Sequence, residues 1–159
     1  MNFPDFYEKA PVVRTRDPFA AMLGAARDGV LEYCYVDAVR LAGHSCPTVA
    51  GAFLVGRAAL AALYPDEPAE RGNIAVHMPA PEHECVTGVM AQVLTLLTGA
   101  ASDNGFHGIR GQFRRKVCSL LRSNGKGRRL PLNASIPAQV WRCISTFRRC
   151  LGTPLKERA

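Results

Sequence analysis

No Cys-x-x-Cys occurs anywhere in the chain, so neither a self-contained zinc ribbon nor a thioredoxin-type motif has support in the sequence. No apolar run reaches the length of a membrane span. The nearest candidate, residues 48–63, covers 16 positions and contains Arg57, so it reads as a buried helix and no membrane partner is expected. The opening Met1-Asn2-Phe3-Pro4-Asp5 lacks the basic and apolar regions of a secretory signal. Six cysteines in 159 residues are too few and too irregularly spaced for a dense disulfide framework. These absences predict a cytoplasmic, reduced protein whose thiols are available for metal or chemistry. Acidic residues are almost missing from one end. Between Arg110 and Ala159 there are thirteen basic residues and one acid, Glu157, a net charge of +12, whereas Met1 to Ile109 carries a net −5. A segment so charged calls for an anionic partner, an acidic surface or full solvation.

What is present reads as one globular domain, since 48% of the residues are apolar. Residues 1–16 are expected as a loosely held N-terminal arm, 17–134 as a core domain, and 135–159 as a basic C-terminal helix and tail. Asp17-Pro18 starts a helix, with Asp as N-cap and Pro at the first helical position, expected to end near Gly29. Leu31 to Leu41 is ambiguous between strand and helix. Pro47 opens a long helix carrying Val49, Phe53, Leu54, Leu60 and Leu63 at helical spacing, which Tyr64-Pro65-Asp66 ends. Asn73 to Met78 reads as a strand, and a helix from about Glu84-Cys85 runs to Gly99. Val117 to Leu121 and Arg129 to Leu132 flank Asn124-Gly125, a hairpin signature. A last amphipathic helix carries Val140, Trp141, Ile144, Phe147 and Leu151. Strands and helices mix without a βαβ rhythm, so the expected class is α+β, a mixed sheet packed with helices in a single core domain.

The chemistry concentrates in Gly43-His44-Ser45-Cys46-Pro47. Cys46 falls at or beside the N-cap of the Pro47 helix, where the helix dipole favours the thiolate, the form that binds metals and attacks electrophiles. His44 adds an imidazole as ligand or as stabilising charge. His83-Glu84-Cys85 repeats the His-x-Cys spacing at a second helix start. The chain has four histidines, and all lie between His44 and His107. His44, Cys46 and Cys85, with His83 or His107 as a fourth donor, form a ligand set of the kind that zinc or another divalent transition metal prefers. His77 completes the inventory. Cys34, Cys118 and Cys143 read as small core residues, and Cys150 is similar.

These residues resemble a family. Gly43-His44-Ser45-Cys46-Pro47 leading into a Gly/Ala-rich helix is similar to the Gly-His-x-Cys-Pro-Gly opening of the formylmethanofuran dehydrogenase E-subunit-like proteins. The order Cys85, helix, Thr98-Gly99, glycine loop Ser102-Asp103-Asn104-Gly105, then Asn124-Gly125-Lys126-Gly127 follows that family too. Thr48 stands where the family usually has Gly, Ala100 where a cysteine commonly follows Thr-Gly, and a basic segment replaces the C-terminal zinc finger of some members. The resemblance implies an α+β core, a homodimer, association with a larger oxidoreductase complex, and a metal or thiol site at the His-Cys segment. It implies no particular reaction.

Three functions follow as expectations. One is a zinc-binding accessory subunit or small metalloprotein. Another is a thiol-redox protein in which Cys46 is the reactive thiol and Cys85 resolves it. The last is a nucleic-acid-binding module acting through Arg114-Arg115-Lys116, Arg128-Arg129 and Arg148-Arg149.

Overall fold

A computed structural model describes residues 3–78, 80–115 and, as a strand backbone, 118–120. The chain opens with a turn of 3-10 helix, Asp5–Lys9, and then forms β1 (Val13–Arg16), α1 (Pro18–Met22), β2 (Val30–Tyr33) and α2 (Tyr35–Ala42). The long helix α3 (Pro47–Leu63) follows, then β3 (Ala69–Glu70), β4 (Val76–Met78), α4 (Thr87–Thr98) and β5 (Cys118–Leu120). The fold is α+β in a single domain. Among the described residues no helix is long and apolar enough to cross a membrane.

β1 is the centre of a three-stranded sheet in the order β2-β1-β3. It runs antiparallel to β2, with Val13 opposite Tyr33 and Arg16 opposite Val30, and parallel to β3, with Thr15 opposite Ala69. Val13 and Thr15 are buried while Arg14 and Arg16 are exposed, the period-two alternation of a half-covered sheet. β4 and β5 pair in parallel as a second, two-stranded sheet, Val76 opposite Cys118.

Within residues 1–16, expected as a loosely held arm, Tyr7, Val13 and Thr15 are buried, and Phe3 and Ala10 pack against the core. Tyr7 is buried, its ring edge-on to Tyr35 at 5.4 Å, and β1 supplies the middle strand. Arg14 and Arg16 disguise the strand because they lie on its solvent side and pair with Glu32 and Glu70. The helix expected from Pro18 to Gly29 stops at Met22, since Gly24 turns left-handed at φ +71°. The ambiguous Leu31–Leu41 segment is both things in turn: β2, then α2, with Cys34 as N-cap between them.

α3 buries Val49, Ala52, Phe53, Gly56 and Leu60, the i, i+3, i+4, i+7 stripe of a helix with one packed face. α4 packs closely over Gly56. A Cβ there would lie 2.6 Å from Leu97 Cδ1 and 3.1 Å from Leu94 Cδ2. α1, β3 and the loop before β5 meet at Asp17, which is 4% exposed. Its carboxylate accepts from the Phe19 and Ala20 amides at 3.0 and 3.3 Å, from Arg71 at 3.0 Å and from Arg115 at 2.6 Å. Arg71 also donates to the carbonyls of Leu96 and Thr95, at 3.0 and 3.4 Å, so one guanidinium caps the C-terminal turn of α4 while pairing with Asp17. Burial pushes the Asp17 carboxyl up, but the charge of Arg115, the Ala20 amide and Arg71 outweigh it and hold the group below its ordinary value.

The second strand of the hairpin expected after residue 120 and the last amphipathic helix lie outside the described residues, as do Cys143 and Cys150.

Candidate functional site

The Gly43–Pro47 segment joins two helices, and each end is fixed by backbone chemistry. Gly43 closes α2 in the left-handed region at φ +75°, its N–H bonded to the Val39 carbonyl at 2.8 Å. That conformation suits a residue without Cβ. Pro47 opens α3, where its missing N–H costs nothing, and Cys46 is the N-cap in an extended conformation (φ −145°, ψ 168°). The Cys46 carbonyl accepts the first intrahelical bond, from Ala50 at 3.0 Å.

His44 and Cys46 stand two residues apart on this segment. The His44 Nδ1 lies 2.9 Å from the Ala42 carbonyl. A carbonyl can only accept, so Nδ1 carries a proton. The Ala42 carbonyl, the hydrogen bond to Cys46 and the attraction of its thiolate raise the His44 pKa above its ordinary value. Cys46 is half-buried. Its side chain makes no capping hydrogen bond, and the nearby Val49 amide favours the thiolate. Slight burial opposes, the His44 hydrogen bond, the Thr48 amide and the His44 charge add to it, and the thiol pKa falls. The Ala42 carbonyl orients the imidazole, and the imidazole charge favours the thiolate, as an activated nucleophile needs.

Tyr35 carries no signal in the sequence that would join it to this site. It sits at the start of α2, and its hydroxyl lies 2.8 Å from Ser45 Oγ. Cys34, expected in the core, is half-buried instead. Its backbone N–H and its thiol both donate to Asp37 Oδ2, at 2.9 and 3.2 Å, where they stabilise the start of α2.

The other expected ligands are placed elsewhere. Cys85 is exposed and takes φ +52° one residue before Val86, the N-cap of α4, so the helix begins two residues later than expected. His77, His83 and His107 are exposed. Among the described residues no three His, Cys, Asp or Glu side chains converge so as to hold a metal ion. A structural zinc site takes four protein ligands and a catalytic one three. The pair His44–Cys46 supplies two, so one described chain does not by itself fit a zinc centre. A cavity of about 310 Å³ between α2 and α4 is lined by Leu41, Arg71, Glu82, Thr95, Ser102 and Asn104 among others, and includes none of the His-x-Cys residues.

No family model matches the chain, and no curated protein or solved structure matches it.

Proposed function

We propose that the protein acts through Cys46 as a reactive thiolate, paired with His44 at the N-terminus of α3. One observation carries this reading: Cys46 is the N-cap of α3, and His44, two residues before it, is held by the Ala42 carbonyl at 2.9 Å, so a helix start and an imidazole both favour the thiolate. Such a thiolate attacks a disulfide sulfur, forms a mixed disulfide and expels the other half as a thiolate. Exposed Cys85 is the candidate to resolve it, attacking the Cys46 sulfur, closing a Cys46–Cys85 disulfide and releasing the second thiol. The test is alkylation of Cys46 followed by peptide mass spectrometry across pH. A midpoint well below 9.0, the ordinary value of the group, that rises in His44→Ala is expected. An unshifted midpoint in the wild type rejects the reading. Mapping of a Cys46–Cys85 bond after mild oxidation tests the resolving role separately.

A second reading keeps the metal and the resemblance to the formylmethanofuran dehydrogenase E-subunit-like proteins. It is favoured by the placing of His44 and Cys46 two residues apart on the short Gly43–Pro47 segment, because a divalent metal binds a neutral imidazole and a deprotonated thiol of this kind. The same two residues of a second copy would complete a four-ligand site, in keeping with the homodimer that the resemblance implies. Metal analysis of protein purified without an affinity tag decides it: zinc bound at about one ion per two chains supports the shared site, and protein that refuses zinc rejects it.

A further inference from the structure

Residues 100–115 carry two phenylalanines that the thiolate reading does not use. The tip of this loop is a tight hairpin turn. Ile109 and Gln112 exchange both backbone hydrogen bonds at 2.9 Å, with Arg110 and Gly111 between them at φ +49° and +83°. Phe113 follows, also left-handed at φ +61°. A bulky side chain keeps that conformation only where its surroundings dictate it. Here the surroundings are rings. Phe19, in α1, stacks on Phe106 and on Phe113, each at 5.1 Å between centroids, with the planes 18° and 29° apart.

Asp17 assembles the set. Its carboxylate accepts from the Phe19 amide at 3.0 Å and from the Arg115 side chain at 2.6 Å, while the Arg115 amide donates to the Phe106 carbonyl at 2.8 Å. The structure also divides Arg114 from Arg115. Arg115 turns inward to Asp17, its side chain 13% exposed, whereas Arg114 is exposed. Arg110 at the turn is exposed too, and among the described residues neither Arg110 nor Arg114 has an acidic partner. Phe106 rests one face on Phe19 and is still 42% exposed.

We propose that Phe106, backed by Phe19 and Phe113, is a stacking platform for a base of single-stranded nucleic acid, with Arg110 and Arg114 holding neighbouring phosphates. Every base has a flat π face, so such a platform takes single strands without reading their sequence. Near-parallel rings present a face rather than separate points, which suits a base better than the acyl chains of a membrane. The contact is non-covalent and does not depend on Cys46. It also does what a basic tail cannot: charge alone holds phosphates and gives no preference for bases.

The experiment is fluorescence anisotropy of the full chain with a labelled oligo-dT of about 12 nucleotides, beside an abasic strand of the same length. The wild type binds oligo-dT more tightly than the abasic strand. Phe106→Leu, which keeps apolar bulk without a flat ring, loses about fivefold to a hundredfold on oligo-dT, the range of one base stacked on an aromatic ring, and nothing on the abasic strand. Phe106→Trp keeps the preference. Arg110→Gln combined with Arg114→Gln weakens both strands and lowers the dependence on salt. Equal affinity of the wild type for the two strands overturns the proposal, as does an equal loss on both in Phe106→Leu. If Phe106→Trp loses the preference as well, the ring serves the fold and not a base, and the proposal is wrong. It is also wrong if Phe106→Leu keeps the preference for bases but releases the protein from phosphatidylserine vesicles, which assigns the platform to a lipid surface.

Discussion

Asp17 and Cys46 are both N-caps, and the sequence marks both with a following proline, yet the two are charged by different means. At Cys46 the sources are local: amides two and three residues on, and an imidazole two residues back. That is why Gly43-His44-Ser45-Cys46-Pro47 is legible in the sequence. At Asp17 they are distant, Arg71 and Arg115, each of them hidden in a run with no motif. Tyr35 is hidden for the same reason, since its partner Ser45 lies across a helix. Asp17→Asn leaves two buried guanidinium groups without their carboxylate and is expected to cost about 3–5 kcal/mol in a denaturant titration. The sign with pH follows from the lowered Asp17 pKa. Its stabilisation is whole above the ordinary carboxylate value of 3.8 and is lost as pH falls through the lower folded value. Wild-type protein should therefore show an acid-unfolding step in that range which Asp17→Asn lacks; identical acid profiles would rule out the pair as its source.

Among the elements, α3 is legible from Pro47 to Leu63, because a proline start, a helical period and a Tyr-Pro stop agree. β1 is not, because four residues with alternate arginines carry little hydrophobic signal, and its burial depends on partners at residues 30–33 and 69–70. α4 starts later than its sequence suggests because nothing in Glu84-Cys85-Val86 signals that Cys85 turns left-handed. Two substitutions test how the elements frame the site. Gly43→Ala has open space for its methyl group but forces a Cβ into the left-handed region. A loss of about 1–2 kcal/mol is expected from thermal unfolding, and an unchanged midpoint would contradict the backbone role. Gly56→Val pushes against Leu97 and Leu94. Overpacking there should cost about 1–3 kcal/mol, readable in the same measurement, without changing the Cys46 alkylation profile.

At the scale of the whole molecule, charge is divided along the chain, net −5 before Arg110 and +12 from there on. Most of the basic segment lies outside the described residues. Its composition predicts retention on a polyanionic matrix, with single-stranded nucleic acid lost at about 0.7 log units per phosphate contact for each log unit of salt. Removing residues 135–159 should lower that slope; retention indifferent to salt or to the truncation argues for a merely solvated tail.

Arg115 lies 98 residues beyond the Asp17 that it holds, and during synthesis this separation sets when the contact can first form. The middle strand of the sheet leaves the ribosome first, its antiparallel neighbour soon after, its parallel neighbour some fifty residues later, and the clamping arginine last. At about 5–20 residues per second, the carboxylate of Asp17 waits on the order of 5–20 s for Arg115. Arrested nascent chains that expose residues only to 110 should remain protease-sensitive around β1, and chains released past 120 should become resistant. Resistance already present in the shorter chains would mean that the sheet closes without its arginine. β1 and Asp17 are made well before the arginine that pairs with Asp17.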